Sequence, residues 1–330
     1  MIRRAFGRSG PEVSAIGVGA MSFAGFYGPA TEAESFAILD AARDGGIDHL
    51  DTSNVYGAGL SEAIIGRWIT DRGQGDLRIA TKAGITKDAD GKRVFDNSDA
   101  HLRSELEASL KRLCVEQVDL FYVHRRDSRT PIEAVTETLA ALQQEGKIGG
   151  FGFSEIAPTS LARAAAIHPV AAVQSEYSLQ TRQPDLGLRQ SCAATGAALV
   201  AFSPVGRGLL TDAPPDADRV ETSAFLKTNP RFTGANLQRN ISASQPLRDL
   251  AAEAGLPCAA LAIGWTLAQG DHVLAIPGTR SVAHLLDLIA GARAPLDADL
   301  LVEIDRRMPV GWCHGARYSP AQQVGPEDYC

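Results

Sequence analysis

The chain has 330 residues, 45% of them hydrophobic and 22% charged, with a net charge of −7. That composition belongs to a globular protein with material for a large core. The acidic balance argues against nucleic acid as a partner and offers no basic surface to a membrane.

Taken in chain order, residues 3–14 carry Gly10 and Pro11 at a turn and predict a small hairpin on the floor of the fold. SAIGVGAM (14–21) is the first short apolar run. TEAESFAILDAARDGG (31–46) predicts a helix with Thr31 and Glu34 as a capping box and glycines at its end. GIDHL (46–50) is the second run; DTSNVYG (51–57) follows it and precedes a stretch that looks helical. LRIATK (77–82) is the third run. NSDAHLRSELEASLKRLCV (97–115) predicts a helix capped by Ser98, with Leu102, Leu106, Leu110 and Leu113 on one face. VDLFYVH (118–124) is the fourth run, and residues 130–147 predict a helix opened by Thr130 as cap, Pro131 and Glu133. The fifth, sixth and seventh runs are IGGFGFS (148–154), VAAVQS (170–175) and AALVAFS (197–203). Residues 205–240, rich in Pro, Asp, Gly and Asn, read as one long loop, functional or mobile. HVLAIPG (272–278) is the eighth run. A helix over 283–292 and a tail from about 295, helical and then irregular, complete the chain.

The runs are short and mostly non-alternating, as parallel strands covered on both faces are. Eight of them alternating with helices predict an α/β fold closed into a single (β/α)8 TIM barrel, residues 1–330 forming one domain. In such a barrel the strand ends share one rim, where active sites sit. Asp51, Lys82, His124, Ser154, Gln174 and Ser203 all fall on or beside strand ends. A lone His, Lys or Asp there is most often structural; their joint placement, with Tyr56 in the loop after Asp51, is what points to chemistry. Tyrosine is a weak acid, with a reference pKa of about 10, and a nearby ammonium eases its loss of a proton. Lys82 supplies that charge, Asp51 is its counter-ion, and His124 can orient a carbonyl oxygen. Protonating a carbonyl oxygen is half of a reduction. The other half is a hydride, which no side chain provides, so a nicotinamide cofactor is implied.

The set DTSNVYG, ATKAG, DLFYVHRRD, GFGFSE, QSEYSL, AFSPVGRGLL and IPGTR resembles the aldo-keto reductases over nearly the whole chain. GAMSFAGFYGP, QSEYSLQTR, NPRFTGANLQRN and MPVGWCHGARY look most like a bacterial and plant branch of that family. The resemblance implies a catalytic tetrad of Asp51, Tyr56, Lys82 and His124, with Tyr56 the general acid. It places Ser154 and Gln174 on the nicotinamide carboxamide and Phe202 under the nicotinamide ring. It gives Ser203, Val205, Gly206 and Arg207 to the loop over the pyrophosphate, with Arg207 pairing phosphate charge. It makes Gly278, Thr279, Arg280 and Ser281 the adenosine-phosphate site, with His284 and Asp287 beyond them on the last helix. Leu288 stands where the family commonly has asparagine. Arg280 is the expected ligand of a 2′-phosphate, so NADPH is the expected cofactor, with NADH the alternative.

Gly17 and Gly19 are expected to let the cofactor approach closely, with Met21 at the rim. Phe26, Tyr27, Trp312 and Tyr318 are candidates to line a substrate pocket for aldehydes or ketones. The cysteines Cys114, Cys192, Cys258, Cys313 and Cys330 are scattered without a CxxC pair, and no HxH or HExxH occurs. No metal site is expected, and the cysteines fit a reducing compartment. No leader-like run and no membrane-length apolar stretch is seen, so a cytoplasmic monomer or weak homo-oligomer is expected. Two further readings share these residues: a Schiff-base aldolase using Lys82, and a cofactor-sensing regulatory protein on the same fold.

Overall fold

The computed structural model describes residues 1–8 and 10–329; Cys330 lies outside the described residues. Eight parallel strands build the central sheet: β1 (Val18–Gly19), β2 (His49–Asp51), β3 (Arg78–Ala83), β4 (Val118–Val123), β5 (Ile148–Ser154), β6 (Ala172–Glu176), β7 (Ala198–Phe202) and β8 (Val273–Ala275). Each pairs in parallel with its neighbours in sequence. A parallel bridge between Ile16 and Ala275, with Gly17 N–H donating to the Ala275 carbonyl, closes β8 onto β1. All eight runs expected from the sequence are strands of this barrel.

The period of two along a strand sorts the side chains. Ala80, Leu120, Tyr122, Ala172, Ala198, Val200 and Leu274 fill the barrel interior. The residues between them, such as Ile79, Phe121 and Leu199, join the larger core under the helices. Continuing the inward rows toward the rim leads from Ala80 to Lys82, from Tyr122 to His124, from Ala172 to Gln174 and from Val200 to Phe202. Alternation in the core thus delivers the polar tips to one end.

Six helices follow the first six strands in turn: α1 (Glu32–Asp44), α2 (Leu60–Arg72), α3 (Asp99–Leu113), α4 (Ile132–Gln144), α5 (Pro158–Ile167) and α6 (Leu188–Thr195). The Thr31–Glu34 capping box and the Ser98 cap form as expected. The cap of α4 does not: Pro131 is the N-cap and no side chain caps it. Thr130 sits one residue too early, its N–H closing a turn onto the Asp127 carbonyl. The residues before the barrel form the expected hairpin, Arg3–Ala5 against Glu12–Ser14. A second hairpin, Ile85–Lys87 against Arg93–Phe95, follows β3.

Residues 205–240 are not the structureless loop the composition suggested. They hold α7 (Ala217–Thr222) and the first turns of α8 (Ala235–Ala243), wrapped on an apolar cluster of Leu209, Val220, Leu226, Phe232 and Leu237. These apolar residues are too dispersed among prolines and glycines to show a helical period. After them come α9 (Gln245–Ala254), α10 (Cys258–Ala268), α11 (Val282–Ala290), α12 (Ala298–Arg307) and a one-turn α13 (Pro320–Gln323) in the tail. No single helix among the described residues is long and apolar enough to cross a membrane.

Candidate active site

Asp51 ends β2, Lys82 sits next to last in β3, His124 follows β4 and Gln174 lies at the middle of β6. Tyr56 is brought back over the rim by a tight run of turns. Asn54 N–H donates to the Lys82 carbonyl and Tyr56 N–H to the Ser53 carbonyl, and Gly57, Ala58 and Gly59 all take left-handed backbone.

These side chains form one bonded group. The Lys82 ammonium, fully buried, pairs with Asp51 Oδ1, donates to the Thr52 carbonyl at 2.8 Å and reaches the Tyr56 hydroxyl at 3.3 Å. Gln174 Nε2 donates to Asp51 Oδ2 at 2.7 Å. The His124 ring stands edge-on to Tyr56, with centroids 5.9 Å apart, and its Nδ1 lies 3.0 Å from Ser53 Oγ. Ser53 and Thr52 were not singled out from the sequence; they lie inside the DTSNVYG motif, and only the folded turn gives them partners.

Burial pushes the Tyr56 phenol above its ordinary range, and Lys82 opposes this without reversing it. The sequence alone points only to the ammonium. Burial works against the Lys82 charge as well, yet Asp51 and Tyr56 outweigh it and hold the ammonium protonated above the usual lysine range. His124 is held well below the usual histidine range by burial and by the positive charges of Arg125, Lys82 and Arg93. Its imidazole is neutral at neutral pH, with Nδ1 taken by Ser53 and Nε2 left for the cavity.

The group opens into a cavity of about 1040 Å³. Asp51, Tyr56 and His124 line it, and so do Gly19, Met21, Ser154, Gln174, Phe202, Ser203, Val205 and Arg207. At the far end Gly278, Thr279, Arg280, Ser281, His284 and Asp287 line it too. Lys82 stands behind Asp51 and Tyr56, out of the wall. Gly206 is not at the wall either. It is buried with a left-handed φ of 58°, and a Cβ there would meet Gln180 Oε1 at 2.8 Å, so it shapes the turn. Phe26, Tyr27 and Tyr318 line the cavity. Trp312 does not: its indole N–H donates to the Leu179 carbonyl at 2.9 Å and its ring packs on the core.

The cavity floor has been kept narrow in side chain. A Cβ on Gly278 would stand 2.7 Å from the Gly19 carbonyl oxygen, and one on Gly19 would stand 2.6 Å from that of Ile276. Ser22 Oγ ties the first loop to the last, donating to the Thr279 carbonyl at 3.0 Å. Ser281 caps α11, accepting from His284 N–H, and Arg280 Nη1 donates to the Pro29 carbonyl at 2.7 Å. An extended molecule with an anionic end fits this channel: flat aromatic Phe202 partway along, bare backbone at the floor, and Arg280 with a helix N-terminus at the end.

Arg207 is committed further than the sequence suggested. Its Nη2 donates to Glu176 at 2.7 Å, and its guanidinium sits over the Phe225 and Tyr318 rings. Its Nε and Nη1 are buried without a hydrogen-bond partner. Glu176, fully buried at the end of β6, also accepts from Arg231 Nη1 at 3.2 Å and Thr181 Oγ1 at 2.9 Å. Beside it Glu155 pairs with Arg317 of the tail at 2.6 Å and accepts the Glu176 N–H at 2.8 Å. Among the described residues no cluster of three or more His, Cys, Asp or Glu could hold a metal ion.

The model of the Aldo/keto reductase family matches residues 15–307. The NADP(+) aldo-keto reductase yakc of Schizosaccharomyces pombe is 35% identical over 313 residues, covering 93% of this chain and 92% of the relative. Aldo-keto reductase str7 of Strobilurus tenacellus is 36% identical over 294 residues, covering 86% and 85%. Among solved structures, a glycerol dehydrogenase from Gluconobacter oxydans superposes with a TM-score of 0.79 at 27% identity, covering 93% of this chain and 96% of that one. An aldo-keto reductase from Bacillus halodurans in its holo form superposes with a TM-score of 0.76 at 26% identity, covering 98% and 100%.

Proposed function

The chain belongs to the aldo/keto reductase family, and from that premise we propose that this cavity binds NADPH and reduces an aldehyde or ketone with Tyr56 as the general acid. The observation that carries the reading is the contact of 3.3 Å between the Tyr56 hydroxyl and a Lys82 ammonium that is itself fixed by Asp51.

Ser154 and Phe202 would hold the nicotinamide, Ser203, Val205 and Arg207 the pyrophosphate, and Thr279, Arg280 and Ser281 the adenosine phosphate. When bound, the cofactor supplies the hydride. Tyr56 donates its proton to the carbonyl oxygen, and the Lys82 ammonium stabilises the phenolate left behind. Asp51 keeps the lysine charged in a buried place. His124, neutral, offers Nε2 to the carbonyl oxygen and fixes its approach. Gln174 serves chiefly to orient Asp51.

The aldolase alternative is disfavoured by Lys82 itself. A Schiff base needs a free neutral amine, whereas this one is buried, protonated and triply engaged. Residues 1–330 are read as one domain, and four free cysteines among the described residues fit a reducing, cytoplasmic setting. Steady-state oxidation of NADPH, and separately of NADH, with a reactive aromatic aldehyde tests the reading. Turnover with NADPH preferred is expected. Tight cofactor binding with no turnover of any carbonyl would favour the sensor instead.

A further inference from the structure

We propose that the carbonyl substrate carries a carboxylate, received by Arg125 and Arg93 at the mouth of the cavity. The inference rests on the reductase reading above and names its substrate class.

The charged residues of the cavity are not spread evenly. Toward α11 and the long segment, acids accompany the bases: Asp287 lies in α11, Asp212 in the segment, and Glu34 is close enough to Arg280 to feel its charge. The opposite wall is built by the end of β4, the hairpin after β3 and the tail. Its charged lining residues are Lys87, Arg93 and Arg125, with no carboxylate among them.

Arg125 directly follows His124. Its Nη1 donates to the His124 carbonyl at 2.6 Å and to Ser154 Oγ at 3.1 Å, while its Nε is buried without a partner. Arg93 donates to the Val324 carbonyl at 2.7 Å and leans on the Phe95 ring. Among the described residues neither forms an ion pair. Their neighbours do: Arg126 pairs with Glu327 and Arg129 with Asp127. Acids are therefore at hand in this part of the chain but not at these two guanidiniums.

Arg93 feels its neighbour, since burial and the charge of Arg125 both lower its pKa. Both are felt at His124, and Arg125 also at Tyr56, which places the pair beside the reacting carbonyl. Holding like charges together at this wall costs free energy that their hydrogen bonds offset only in part, since no protein carboxylate pairs with either. A bound carboxylate removes that cost. Arg125 Nη2, neither enclosed nor hydrogen-bonded among the described residues, is the charged donor a carboxylate can meet. The cofactor's phosphates have Arg207 and Arg280.

The test is kcat/KM of the purified full chain with NADPH for para-formylbenzoate and for its methyl ester, whose neutral group is one methyl larger and leaves the aldehyde intrinsically the more reactive of the two, so that a preference for the acid reports recognition of its charge. The acid is expected to exceed the ester by about tenfold or more. In Arg125→Gln that ratio is expected to collapse toward one through KM, with Arg125→Lys keeping part of it. Arg93→Gln, on an exposed hairpin where folding is not at stake, is expected to lower it about threefold. A ratio at or below one in the unaltered protein, with both aldehydes turned over, overturns this inference and leaves the reductase reading standing. So does a ratio that neither variant moves. Failure to turn over either aldehyde overturns the reductase reading and this inference with it.

Discussion

Lys82 is asked to be charged where charge is expensive, and Asp51 is what makes that tolerable. The two act on Tyr56 in opposite senses: the ammonium favours the phenolate and the carboxylate opposes it. Tyr56→Phe removes only the hydroxyl and leaves the ring against His124 and Phe26. Carbonyl reduction is expected to fall by about 10²–10⁴ in kcat, while the cofactor dissociation constant, read by fluorescence titration, stays close to that of the unaltered protein. Retained turnover would remove Tyr56 from the role of acid. At this scale the sequence was informative because strand ends and a fixed Asp–Tyr separation place the side chains. It was silent on Ser53 and on the commitment of Arg207 to Glu176. Both depend on which residues meet across the rim, and neither Glu176 nor Arg231 carries a local sign of that meeting.

On the proposed reading, cofactor choice is decided at the joint between β8 and α11. Thr279, Arg280 and Ser281 sit where a strand hands over to a helix whose N-terminus favours an anion. His284 follows one turn in, and Leu288 is buried against the core. Arg280 is therefore the principal cation at that end. Arg280→Ala is expected to weaken NADPH binding about tenfold or more and NADH far less, as titrations with each would report. Equal losses would mean that Arg280 does not meet the ribose phosphate. The elements themselves were legible where a period was sustained: eight apolar runs became eight strands, and Thr31 and Ser98 cap as their sequences say. Legibility failed where the signal was short. Thr130 lost its cap to Pro131, whose fixed φ already serves as the turn into the helix. The helices within 205–240 span two turns or so each, below the length at which an apolar stripe declares itself.

For the whole molecule, acid is the condition that the buried histidines resist least. His49 lies inside the barrel under the active site, its Nε2 3.0 Å from the Ser14 carbonyl and its ring against Phe6. Burial lowers its pKa to about 4. The unfolded chain, with a histidine pKa of about 6.5, therefore binds more protons between these two values, and stability rises with pH across that window. Going from pH 7 to pH 4 is expected to remove about 3 kcal/mol through His49 alone, and His124 acts in the same direction. Denaturant midpoints at the two pH values check this, and His49→Gln should flatten the slope. At the other end of the barrel, Glu176 collects Arg207, Arg231 and Thr181 on one carboxylate, and Glu155 ties Arg317 alongside. Five stretches of chain, around 155, 176–181, 207, 231 and 317, thus share a single fastening. Their amides should then exchange with deuterium as one cooperative unit rather than segment by segment, and Glu176→Gln should speed exchange across 176–181, 203–210 and 226–232 together. The walls of the cavity would loosen in concert or not at all, so entry and release would be governed by one opening event.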